Sequence, residues 1–222
     1  MQRHFDQDLA NLKRHLLSMG SLVESQIEQA LKALVDRDSH LAVSVIERDH
    51  DVNALDVEID DLCIQLLALQ QPTARDLRFI TTGMKISSEL ERMGDLADNI
   101  AQRALELNVE PQLKPYIDIP RMASWTMRMV KECLDAFVNS DPLLARKVCT
   151  DDDFVDDLNE QLFRELLSFM LENTSTITRA IRLTFVAKSL ERIADHATNI
   201  GELVVYMVEG KNIRHIAPSA IF

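Results

Sequence analysis

Leu90-Glu-Arg-Met-Gly-Asp-Leu-Ala-Asp-Asn-Ile100 and Leu190-Glu-Arg-Ile-Ala-Asp-His-Ala-Thr-Asn-Ile200 stand 100 residues apart and agree at 7 of 11 positions. A match this long and this charged marks an internal repeat. Upstream the offset becomes 103, pairing Val52-Asn-Ala-Leu55 with Val155-Asp-Asp-Leu158, and Asp38 and Leu41-Ala42 with Asp141 and Leu144-Ala145. The chain therefore reads as one unit written twice.

Within each unit the apolar period is helical. Phe79, Gly83, Ile86, Leu90, Met93, Ala97, Ile100, Ala104 and Leu107 step by four and three, and so do positions 41, 45, 48, 52, 55, 59, 62, 66 and 69, where Arg48 is the only polar member. Seams of this length indicate long bundle helices. The pattern places them at about 5–35, 39–69, 73–108, 119–139, 142–171 and 175–209. Asp38 and Asp141, the latter before Pro142, are N-cap candidates, and Thr73-Ala-Arg-Asp76 has capping-box spacing. Three prolines between Val109 and Pro120 mark a linker. Short connections make neighbouring helices antiparallel. The expected fold is all-α: two tandem antiparallel three-helix bundles related by internal pseudo-symmetry, over 1–108 and 119–222, with a Pro-containing linker at 109–118.

Composition agrees. Only 5 Gly and 6 Pro among 222 residues leave little for hairpins or Gly-rich phosphate loops. With 24 basic and 36 acidic residues the net charge is −12, which argues against nucleic acid and against adhesion to anionic lipid. Cys63, Cys133 and Cys149 form no CxxC and fit a reducing cytosol. No stretch has the length of a transmembrane segment or the pattern of a signal peptide, so a soluble, cytoplasmic protein is expected, reaching membranes only through partners.

The repeated helix also carries the candidate chemistry. With Leu90, Met93, Ala97 and Ile100 buried, Glu91, Asp95 and Asp98 fall on one outward flank, and Glu191 with Asp195 repeats the pattern. Like charges one turn apart repel, and a bound cation with oxygen ligands would offset the repulsion. An antiparallel neighbour turning near residue 72 brings Asp49, Asn53 and Asp56 level with Glu91 and Asp95; Asp152 and Asp156 are the equivalents of Asp49 and Asn53, inside the acidic run Asp151–Asp157. Plain solvation of an outer helix face is the alternative, with Arg92 and Arg192 placed to pair with Asp95 and Asp195. Glu47-Arg-Asp-His50 has the ExxH spacing of ferritin-like bundles, but there is no second copy. His196 reads as solvent-facing. No catalytic nucleophile or acid–base pair stands out, and the chain is not expected to be an enzyme.

These residues resemble the PhoU family. The likeness runs over His4-Phe5, Leu9, Met19-Gly20, Glu47-Arg-Asp49, Val52-Asn53, Gln70-Gln-Pro-Thr-Ala-Arg-Asp-Leu-Arg78, both copies of the repeated helix, Glu209-Gly210 and Arg214-His215. The resemblance implies a negative regulator of the phosphate starvation response, linking the ATPase subunit of a phosphate ABC transporter to a membrane sensor histidine kinase. It also implies divalent or iron ions held by surface E/D-xxx-D motifs, here Glu91 with Asp95 and Glu191 with Asp195; the helix register adds Asp49, Asp152 and Asp156 to them. A homodimer is expected from the flat helical surface. The second unit has Asn173-Thr-Ser-Thr-Ile-Thr-Arg179 where the first has Pro72 to Arg78, so the first loop, with Arg75 and Arg78, is the expected partner contact. A carboxylate-bridged oxidase of ferritin type is the rival reading.

Overall fold

The seam from Phe79 to Leu107 lies inside one helix, Ala74–Asn108, and from Gly83 onward every one of its members is buried. The computed structural model describes residues 2–69 and 72–214, the side chains of residues 2–4 excepted. Gln70, Gln71 and His215 therefore lie outside the described residues, as does the side chain of His4. The elements are α1 (Gln2–Val35), α2 (Ser39–Glu47), α3 (Asp49–Leu69), α4 (Ala74–Asn108), α5 (Asp118–Asn139), α6 (Pro142–Glu172) and α7 (Ile177–Glu209), with a short 3-10 turn at Thr174–Thr176 before α7. No strand occurs among the described residues, and none of their helices is long and apolar enough to cross a membrane.

Capping follows the sequence at two of three sites. Asp38 accepts the Leu41 amide at 3.0 Å, and Asp141 accepts those of Leu143 and Leu144 at 2.9 and 3.1 Å, with Pro142 in the first turn of α6. Thr73 does precede α4, but its hydroxyl donates to the Asp76 carboxylate at 2.6 Å instead of accepting a backbone amide. The expected continuous helix over 39–69 is interrupted at Arg48, the one polar member of its seam. A long cation has no place in the core, so the chain turns it outward. The Arg48 carbonyl accepts the Asp51 amide and, in addition, Nε2 of buried Gln26, each at 3.1 Å. In the second unit the equivalent position is Asp151, which stays in an unbroken α6 because Lys147 and Arg128 pair with it at 2.8 and 3.2 Å.

Helices α1 to α4 pack on one another, as do α5 to α7. The two groups meet along α4 and α7 and along α1 and α5. α4 and α7 run antiparallel: Arg78 reaches the Met207 carbonyl, Arg103 lies over the Phe185 ring, and Arg182 pairs with Glu106 at 2.9 Å and with Glu110. One continuous apolar cluster, including Leu12, Ile86, Leu90, Phe137, Leu162 and Leu190, runs through both groups. Backbones approach closely where α6 meets α7. A Cβ on Gly201 would stand 2.8 Å from the Ala145 carbonyl oxygen, so only glycine permits that spacing.

Cations anchor the connection between the groups. Arg37, itself in the left-handed region at φ 57°, donates to the carbonyls of Leu107 and Asn108 in the last turn of α4 and of Glu110 just beyond it. Such contacts satisfy carbonyls that a helix end leaves open. Lys114, almost fully buried, is held by Asp118 and by Glu165 of α6.

Candidate metal centres on the α4 and α7 flanks

In the first unit, Asp49 opens α3 directly after the break at Arg48, and so faces Asp95 and Asp98 on α4. Asn53 donates to its Oδ2 at 2.9 Å, while Oδ1 is buried without a hydrogen-bond partner. Asp98 is similar: Gln102 donates to Oδ2 at 2.5 Å, and Oδ1 is buried and unpaired. Asp56 accepts the Ser87 hydroxyl at 2.7 Å. Burial pushes Glu91 above the ordinary carboxylate range, and the charges of Asp95, Asp56 and Asp49 add to it against Arg92. Asp95 is raised by burial and by Asp49, and Asp98 by burial and by Asp49 and Asp95, despite Gln102. The two helices do set their acids in one another's field.

The second unit is more strongly acidic. Burial and the charges of Asp195, Asp156, Glu191 and Asp153 push Asp152 up to about 7. Asp156 and Asp195 are raised for the same two reasons. Lys188 donates to one Glu191 oxygen at 2.5 Å, and the other is buried and unpaired, as is Oδ1 of Asp152. Asp151 leaves this group for Lys147 and Arg128.

Four orphaned carboxylate oxygens, two per unit, thus lie among the residues the spacing singled out. Arg92 and Arg192 form no ion pair with Asp95 or Asp195 among the described residues, so the expected surface pairing is not what holds these acids. The donor set suits a hard divalent cation or iron, which takes several oxygens and offsets their charge. As the side chains stand, no three ligating groups among the described residues converge as they would around an ion. The ExxH pair offers no oxidase centre: His50 is exposed, bonded to the Glu47 carbonyl and beside Asp51, at the break between α2 and α3.

Arg75 and Arg78 are separated in role. Arg75 is exposed at the rim of a cavity of about 380 Å³ lined by Leu9, Lys13, Phe79 and Met207. Arg78 turns inward, its Nε 3.4 Å from the Met207 carbonyl near the C-terminus of α7, where a cation meets the negative end of the helix.

One group was misread from sequence. His196 is not solvent-facing: its Nδ1 is 2.6 Å from Glu89 on α4, and Asn199 donates to the same oxygen at 3.1 Å. The available signal was the repeat, which aligns His196 with Leu96, a core position. The cysteines are buried thiols; burial pushes Cys63 and Cys149 up to about 12, which leaves no reactive thiolate.

Comparison with known proteins places this geometry. A family model described as the PhoU domain matches residues 16–104 and again residues 119–204. The phosphate-specific transport system accessory protein PhoU homolog of Pseudomonas aeruginosa is 41% identical over 217 residues, 97% of this chain and 90% of that protein. The crystal structure of PhoU from Pseudomonas aeruginosa superposes with a TM-score of 0.90, covering 93% of this chain and 100% of the other. That of the phosphate transport system regulatory protein PhoU from Streptococcus pneumoniae gives 0.88 at 32% identity, covering 94% and 98%.

Proposed function

The chain belongs to the PhoU family, and on that premise we propose that it is an accessory regulator of phosphate-specific transport with no catalysis of its own. It acts in the cytoplasm as a negative regulator of the phosphate starvation response, an adaptor between the transporter's ATPase subunit and a membrane sensor histidine kinase. The observation that carries this reading is the family match over both copies of the repeat, and with it over nearly the whole chain. The two copies are a tandem duplication, with residues 1–108 and 119–222 as its units and 109–118 as linker.

Glu91, Asp95 and Asp49 in one unit, and Glu191, Asp195, Asp152 and Asp156 in the other, are the proposed cation ligands. Buried, unpaired oxygens on three of them, Asp49, Asp152 and Glu191, support that assignment, and a fourth lies beside them on Asp98. A bound divalent or iron ion would cancel negative charge on these flanks and give a partner a neutral surface to dock on. Arg75, exposed and without an ion pair among the described residues, is the proposed contact to a partner, and Arg78 sets the N-terminal turn of α4 beside α7. Exposed Phe163, Leu167 and Leu171, spaced by four on α6, supply the apolar stripe that a homodimer requires.

Affinity capture from cytoplasmic membranes of phosphate-replete and phosphate-starved cells tests the adaptor reading. Recovery of the ATPase subunit and the kinase in amounts that change with phosphate is expected. Recovery of neither, under both conditions, overturns it.

A further inference from the structure

In a chain of net charge −12, basic side chains gather where α4 and α7 meet on their open face. A cavity of about 450 Å³ lies there, lined by Leu96 and Arg103 from α4 and by Phe185, Lys188, Ser189 and Arg192 from α7. The three cations come from both sides of the seam. Arg103 bonds Glu106 through Nη1 alone, and Lys188 bonds Glu191. Arg192 has neither a hydrogen bond nor an ion pair among the described residues.

Two further features point to a ligand. Ser189 lines the cavity with a hydroxyl that stays open to it and makes no hydrogen bond to another described residue. Phe185 is 55% exposed, a large ring left open to solvent on a buried seam, with the Arg103 guanidinium 5.8 Å from its centroid. Cations, a neutral donor and an open aromatic ring around one cavity of ligand size form a recognisable set.

We infer that this cavity binds a nucleotide-type ligand, its planar ring on Phe185 and Leu96 and its phosphate oxygens on Arg192, Lys188 and the Ser189 hydroxyl. Inorganic phosphate would use the cations but leave the ring and most of the volume empty. Glu106 and Glu191 compete for Arg103 and Lys188, so Arg192 is the principal anchor. The site adjoins the acidic flank of the second unit, where Lys188 is bonded to Glu191, and does not depend on the regulatory reading.

Adenosine diphosphate carrying a fluorescent ribose label is the probe, titrated into the full chain in excess chelator so that no cation on the acidic flanks can bridge it. Saturable binding of one ligand per chain is expected. Arg192→Ala should weaken it roughly tenfold, the scale of one charge-assisted hydrogen bond, and Phe185→Ala should weaken it severalfold, both with unchanged helicity and melting. Unlabelled adenosine diphosphate should displace the probe far better than pyrophosphate. Absence of saturable binding at millimolar probe, binding indifferent to Arg192→Ala, a requirement for divalent cation, or equal displacement by pyrophosphate would each overturn the assignment.

Discussion

Glu89 on α4 accepts the Nδ1 proton of His196 on α7 at 2.6 Å, a bond between two largely buried side chains that joins the two halves of the molecule. Only a protonated nitrogen can face a carboxylate this closely, so the bond sets the side on which the imidazole carries its proton.

That pair makes a measurable contribution. A double-mutant cycle of Glu89→Ala and His196→Ala, read by urea denaturation, should give a coupling of about 1–2 kcal/mol. Burial alone would raise the Glu89 carboxyl, but the bonds from His196 and Asn199 prevail and hold it below its ordinary 4.5. The stabilisation is therefore present above pH 4.5 and is lost as the pH falls below it. Zero coupling would reduce the contact to coincidence.

The acidic flank of the second unit has the opposite sign. Asp152, pushed up to about 7 from an ordinary 3.8, keeps a proton in the folded chain that the unfolded chain has already released. Its contribution is best below pH 3.8 and declines as the pH rises to about 7. Without divalent cations, Tm should drop between pH 5 and 7.5. At pH 8, Asp152→Asn should raise Tm by about 2–4 °C, the effect of 1 kcal/mol in a chain this long. A flat wild-type profile would contradict this.

Divalent cations should reverse that decline, and unequally. Asp152 feels four other carboxylates, and the second unit offers Asp156 where the first has Asn53. More carboxylates bind hard cations more tightly. In a manganese titration, Asp195→Asn should abolish the tighter class of sites and Asp95→Asn the weaker; the reverse order would refute the ranking.

Leu90 and Leu190 are fully buried at equivalent places in the repeat. Alanine at either should cost about 2–5 kcal/mol through lost burial and a cavity. Exposed Asp95, one turn away, should tolerate asparagine within about ±0.5 kcal/mol. Chemical denaturation of the three variants checks both the core and the helix phase.

Gly201 is a packing site in spite of its poor helix propensity. Alanine would put a methyl 2.8 Å from a backbone oxygen, which cannot rotate away. Gly201→Ala should therefore destabilise by about 1–3 kcal/mol, although alanine favours helices by nearly 1 kcal/mol. A more stable variant would mean that α6 moves aside easily.

What local periodicity encodes was legible. The α4 seam and the N-caps at Asp38 and Asp141 came straight from spacing. So did the pairing of Asp49 with Asp95, because a short turn between antiparallel helices leaves one register. The break at Arg48 was visible as the one polar seam position, but its consequence depends on Gln26, distant in sequence, which joins the Asp51 amide on the Arg48 carbonyl. The antiparallel contact of α4 with α7 has no local signature, since neither helix constrains which other helix its second face meets. The repeat marks His196 as a core-facing position, but its Glu89 partner and the inward role of Arg78 follow from that contact alone, and so were out of reach.

The interruption at Arg48 gives the two halves unequal mechanical compliance. Asp49 sits on the first residue of α3, beside a joint spanned by the Gln26 bond. Its counterpart Asp152 is embedded a third of the way along α6, an unbroken rod of 31 residues or about 46 Å at ~1.5 Å per residue. Drawing the first pair of flanks together bends a joint, whereas drawing the second pair together has to displace a girder. A load shared by both sites is therefore taken up as movement at one end of the molecule and as tension at the other.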